Sequence, residues 1–128
     1  MPEGLGIDRI AQIAINVKDV VKAEAFYRDV LGLRHLFTVP PKMSFFDCGG
    51  ARLMLCIAEK PEYDHPSSIL YFNVADIQAA HATLISRSVA FETPPQMIAR
   101  LEKFDLWMAF FRDSEGNPLA LQSEVART

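Results

Sequence analysis

Few side chains in this sequence are of a type and spacing that performs chemistry. Its three histidines, His35, His65 and His81, show no metal-ligand spacing among themselves. His81 falls on the edge of a helical apolar stripe and reads as a packed residue. His65, in DHPSS, either leans over a cavity or is a solvated loop residue, and His35 has no assignable role. Ser44, Ser67, Ser68, Cys48 and Cys56 sit in no nucleophile elbow and beside no His/Asp partner. The GLG near the start and Gly49–Gly50 do not open helices, so neither cradles a phosphate. Arg52 is the most suggestive group: a guanidinium on an open sheet face favours a carboxylate or phosphate, with Asp47 as the alternative partner.

Composition narrows the classes. The chain has 128 residues, half of them hydrophobic, enough for one domain with a real core. Its formal net charge is −3 and no basic run exceeds a pair, which argues against nucleic acid. No basic start leads into an apolar run, and no apolar stretch is long enough to span a bilayer, so neither a secretory signal nor a membrane partner is expected. Two cysteines are too few for a disulfide scaffold, so reduced thiols in a cytoplasmic protein are expected.

The elements that must position these groups come in duplicate. NVKDV at Asn16–Val20 returns as NVADI at Asn73–Ile77, 57 residues on, and the likeness extends over IAINVKDVVKAEAFYRDVLGL and LYFNVADIQAAHATLISRSVAF. Each copy reads as strand, Asp cap, helix and further strands, a unit unable to bury its apolar face alone. In the first strand Ile13, Ile15 and Val17 share one face, and Gln12, Ala14 and Asn16 the other. Asp19 caps a helix whose stripe is Val20, Ala23, Tyr27, Val30 and Leu31, ended by Gly32. RHLFTV, MSFFDC and ARLMLCIA are the next strands. The second half follows with SILYFNV, a helix from Ile77 to about Arg87 with stripe Ile77, Ala80, His81, Leu84 and Ile85, then VAFET, DLWMAFFRD and PLALQS. Residues 94–105, with Pro94–Pro95, read as a loop holding at most one short strand.

The stretch IAINVKDVVKAEAFYRDVLGL together with FFRDSEGNPLAL resembles the vicinal oxygen chelate superfamily, the group of glyoxalases, bleomycin-resistance proteins and extradiol dioxygenases. The resemblance implies an α+β fold of two paired βαβββ modules, about 8–60 and 66–125, in one domain over 1–128, forming a concave mixed sheet with helices outside. It also implies a homodimer. Family enzymes hold one divalent metal through the first and last strands of each module. The positions that match are Gln12, Met54, Ile69 and Ala120. Only Gln12 offers an oxygen, so the usual metal site is not expected and no cofactor is implied. With His65 as a displaced partner, Gln12 gives the alternative metal site.

Strand parity then yields a ligand-binding face of Gln12, Asn16, Arg52, Met54, Ile69, Tyr71, Asn73, Ala120 and Gln122, with Ala14 and Cys56 beside them; Trp107 and Phe111 are an aromatic wall, core or dimer contacts, which parity does not settle. Cys56 itself reads as a buried, inert thiol. The expected function is metal-independent binding of a small organic molecule in the sheet cleft. The alternative is a divalent-metal-dependent lyase, isomerase or dioxygenase using Gln12 and displaced ligands; whether any reaction occurs is left open.

Overall fold

The computed structural model describes residues 4–127. The order of elements is β1 (Gln12–Asn16), α1 (Val20–Ala25), β2 (Arg34–Val39), β3 (Met43–Cys48), β4 (Ala51–Cys56), β5 (Leu70–Asn73), α2 (Ile77–Ser86), β6 (Phe91–Arg100), β7 (Phe104–Arg112) and β8 (Pro118–Ala126). They form two four-stranded mixed sheets of identical topology, β1-β4-β3-β2 and β5-β8-β7-β6, in which the first strand of each half runs parallel to its last. The repeat in the sequence is therefore a repeat in space, one βαβββ module for each copy.

Both helices start as the Asp caps dictate. Asp19 accepts from the Lys22 N–H and Asp76 from the Ala79 N–H, each at 3.0 Å, and each cap contributes about 1 kcal/mol. After Ala25 the first helix widens into a π-helical turn, Phe26–Val30, where the Leu31 N–H reaches back five residues to the Phe26 carbonyl. Gly32 follows at φ +74°, in the left-handed region that lets the chain turn out of the helix. The helices cover one face of each sheet. Ile15, Tyr27, Phe46, Leu53, Leu55, Leu84, Phe111 and Leu119 belong to one core cluster that runs through both halves.

Two expectations need correction. Residues 94–105 are not a loop with at most a short strand: β6 continues the VAFET strand through Arg100, pairs antiparallel with β7, and leaves only 101–103 as the turn between them. Pro94 and Pro95 have no N–H for a ladder, and they fall in the irregular stretch between Thr93 and Gln96, on a strand with a free edge where that loss is tolerated. In α2, Ile85 is 48% exposed and outside the buried stripe, which is carried by Ile77 and Leu84.

The last hairpin ties the halves together. In DSEGN, Asp113 Oδ1 accepts from the N–H groups of Glu115 and Asn117, both at 2.8 Å, and Oδ2 accepts from Asn117 Nδ2. The same Oδ2 accepts the hydroxyl of Tyr27 at 2.7 Å in the buried interior. Glu115 reaches the Lys18 N–H at 2.6 Å, ahead of α1, and Asn117 Nδ2 donates to the Asn16 carbonyl.

Candidate functional site

The face of the first sheet turned away from α1 is built of three rungs, each crossing all four strands in register. The first is polar: Gln12, Arg52, Asp47, Arg34. The second is Ala14, Met54, Phe45, Phe37, and the third Asn16, Cys56, Met43, Val39. Phe37 and Phe45 stack with centroids 4.4 Å apart, and the Arg52 guanidinium lies 5.3 Å from the centre of Phe45. Arg52 Nε donates to Gln12 Oε1 at 2.7 Å. Asp47, though its neighbour across the ladder, makes no ion pair with Arg52 among the described residues. The guanidinium is thus oriented by Gln12 and laid on an aromatic face, with its terminal nitrogens left to meet an anion.

At the other end of this face lies a cavity of about 520 Å³, lined by Asn16, Met54 and Cys56 and by Lys42, Met43, Glu59, Tyr63, His65, Ser67 and Ser68, among others. Its wall on one side is the connector between the modules. Asn16 positions that connector: its Nδ2 donates to the carbonyls of Tyr63 (2.6 Å) and His65 (2.9 Å), and its backbone N–H donates to Ser67 Oγ (3.2 Å). Burial pushes the Cys56 thiol above its ordinary pKa, with the Glu59 charge adding to the effect, so it is a protonated thiol rather than a nucleophilic thiolate.

The remaining sequence candidates lie on the second sheet. Its open face carries the rungs Tyr71, Ala120, Phe110, Thr93 and Asn73, Gln122, Met108, Gln96. Ile69 stands just before β5 and is 41% exposed, and Tyr71 is 45% exposed. Two candidates do not present an exposed side chain on this open face. Ala120 is 0% exposed, a methyl set between Tyr71 and Phe110, whose rings meet edge to face. Trp107 shares the parity of Ala109 and Phe111 and packs on the core; the aromatic residue on the open face of β7 is Phe110. The large cavity gathers only the first-sheet set, and neither Gln12 nor Arg52 lines it.

A divalent metal does not fit the four family positions. Ile69 and Ala120 are apolar, Met54 gives a thioether, and the only hard oxygen, Gln12 Oε1, faces a guanidinium that would repel a cation. His65, the displaced partner considered for Gln12, lines the cavity that Gln12 does not. No group of three or more His, Cys, Asp or Glu side chains converges among the described residues.

Comparison with known proteins agrees with the module architecture. Residues 9–121 match the family model of the Glyoxalase/Bleomycin resistance protein/Dioxygenase superfamily. The chain belongs to that superfamily. Comparison with curated proteins gives no match. Among solved members of the superfamily fold, the chain is similar to a lactoylglutathione lyase from Agrobacterium tumefaciens, at 21% identity and a TM-score of 0.74, covering 92% of this chain and 95% of that one. A superfamily member from Sphaerobacter thermophilus is 25% identical, with a TM-score of 0.72, over 94% of this chain and all of the other. One from Nocardioides is 16% identical, with a TM-score of 0.75, covering 95% and 87%. Such likenesses place the fold in the superfamily, while chemistry is decided by the site.

Parity arguments applied to β1 and β4 put Asn16, Met54 and Cys56 on one face, and in the structure all three line the cavity. Met43 was missed, although MSFFDC alternates and puts Met43, Phe45 and Asp47 on one face. Tyr63, Ser67 and Ser68 carry no sequence signal at all, because their connector is held against the sheet by hydrogen bonds from Asn16, some fifty residues away in the chain.

Proposed function

We propose that this superfamily member binds a small organic molecule on the open face of its first sheet, without a divalent metal. The observation that carries the reading is the Arg52–Gln12 pair: the side chain that a metal would need is engaged instead in aiming a guanidinium across Phe45. An occupant with an aromatic or aliphatic body and a carboxylate or phosphate fits this face. The anion meets Arg52, and the body lies along Ala14, Met54 and Phe45 toward the cavity.

A homodimer supports such a site. Phe37 and Val39 on the first sheet and Ile69 and Tyr71 on the second are each exposed, and a second copy would cover apolar surface that one chain leaves open. No described helix is long and apolar enough to cross a membrane, and both cysteines are free, which supports a cytoplasmic setting.

The test is a thermal-shift screen of small aromatic and aliphatic carboxylates and phosphates against matched neutral analogues, with elemental analysis after incubation with Mn, Fe, Ni or Zn. Stabilisation by an anionic compound that Arg52→Met abolishes supports the reading. One retained equivalent of a divalent metal, with binding dependent on Gln12, overturns it in favour of a metal-dependent lyase, isomerase or dioxygenase.

A further inference from the structure

We infer that the cavity beside the first sheet is also a binding site for a soft monovalent metal ion of the copper(I) class, held by Met43, Met54, Cys56 and His65. All four residues line this one cavity. Met43 and Cys56 are direct partners across the β3–β4 ladder and therefore share a face, with Cβ atoms on the order of 5 Å apart. Met54, two residues before Cys56 on the same strand, lies on that face at the diagonal position. An unbranched thioether with three rotatable bonds spans the diagonal gap readily. Its partner on β1 is Ala14, whose methyl leaves room above the rung. Cys56 Sγ points at the Ile15 carbonyl 3.9 Å away, and Met54 Sδ is 3.7 Å from Gln12 Nε2, contacts weak enough for an ion to replace.

His65 completes the set by a separate observation. Its Nδ1 is 3.0 Å from the Pro66 carbonyl oxygen, and a carbonyl can only accept. That hydrogen bond puts the ring proton on Nδ1 and leaves the Nε2 lone pair bare, the arrangement seen in metal-ligating histidines, whose second nitrogen is fixed by a neighbour. Asn16 in turn holds the His65 carbonyl at 2.9 Å, so the residue sits on an anchored segment of the connector.

The donor set is one thiol, two thioethers and one imidazole. Soft sulfur ligands select copper(I), whereas Mg, Ca and Mn need oxygen ligands that this cluster lacks. On binding, the Cys56 S–H bond breaks, a sulfur–metal bond forms, the proton passes to solvent, and the ion keeps its oxidation state. Lys42 and Glu59 also line the cavity with opposite charges, so they add no net repulsion. The inference goes beyond the organic-ligand reading and does not depend on it: the two occupants compete for part of the same space.

The experiment is an anaerobic titration of the full chain, reduced and free of organic ligand, with copper(I) against a chromophoric copper(I) chelator. One equivalent per chain is expected to be withdrawn from the chelator, with Zn and Mn not retained. Loss of a mere supporting residue weakens metal sites by 10–100-fold, so Cys56→Ser should weaken binding by at least about 100-fold. Met43→Leu/Met54→Leu, which keeps volume and so keeps the fold, should weaken it by at least about tenfold, and Cys48→Ser should leave it unchanged. Failure of the wild-type chain to compete with the chelator overturns the inference, as does equal affinity in Cys56→Ser or loss of binding in Cys48→Ser. An anionic organic compound that binds the copper-free chain leaves the first reading standing in any of those cases.

Discussion

Substitution of Tyr27 by Phe isolates one hydrogen bond on which the two modules depend. Tyr27 is fully buried, and its hydroxyl donates to Asp113 Oδ2 at 2.7 Å across a sequence separation of 86 residues. The ring stays in place in the variant, so no cavity opens. Asp113 keeps the Glu115 and Asn117 N–H groups and the Asn117 amide. The loss is one buried bond to a charged acceptor, about 2 kcal/mol. At the usual unfolding entropy per residue, a chain of this size should melt about 7 °C lower. Urea denaturation and calorimetry measure both quantities, and the double-mutant cycle with Asp113→Asn should return a coupling of about 2 kcal/mol. The variant should also change the response to alkali. Burial above all, and then the Asp113 charge and hydrogen bond, raise the Tyr27 pKa above its ordinary value of 10.0. The stabilisation linked to this group is therefore complete below pH 10 and is lost as pH rises beyond it, because the unfolded chain ionises first. Tyr27→Phe should unfold less steeply with alkali than the wild type. A Phe variant within 0.5 kcal/mol of wild type, with no coupling to Asp113, would refute the reasoning.

Two further outcomes follow from the packing. Glu24 Oε1 accepts the hydroxyls of Thr38 and Ser44 (2.8 Å for the latter) beside His35, and the Thr38 bond in particular holds its carboxyl below the usual 4.5. Its contribution is full above about pH 4.5 and lost as pH falls through the lowered value, so Glu24→Gln should cost about 1 kcal/mol at neutral pH, with the difference shrinking in acid on denaturant titration. Gly32→Ala should cost about 1 kcal/mol in the same assay, since φ is +74° and a methyl there meets nothing within 4 Å, leaving backbone strain as the cause.

Periodicity and caps made most of the fold legible. RHLFTV and MSFFDC are bounded by a proline pair and a glycine pair, and the strands end there. Asp19 and Asp76 announce both helices because capping is a local interaction. What stayed hidden is non-local. The second part of β6, from Pro94 on, reads as a loop because two prolines erase the strand signal that VAFET begins, and its place at the edge of the sheet makes them acceptable. Arg52 and Asp47 are cross-strand neighbours, yet the guanidinium turns to Gln12 on the other side, a choice between two adjacent acceptors that no pattern encodes. Phe111 is one residue from the ring on the open face: neighbours on a strand face opposite ways, that ring belongs to Phe110, and Trp107 and Phe111 both take the core side, the second of the places open to them in the sequence.

The DSEGN turn near the end of the chain has a consequence for the order in which the molecule is made. During synthesis the first module emerges complete in its strands, while the N–H groups ahead of α1 still lack Glu115 and Tyr27 still lacks its acceptor. Those groups are satisfied only when the final hairpin closes on them. The nascent first half therefore waits in an unfinished form until the DSEGN hairpin, 97 residues beyond Lys18 in the case of Glu115, is released, and its final locking is a late, long-range event.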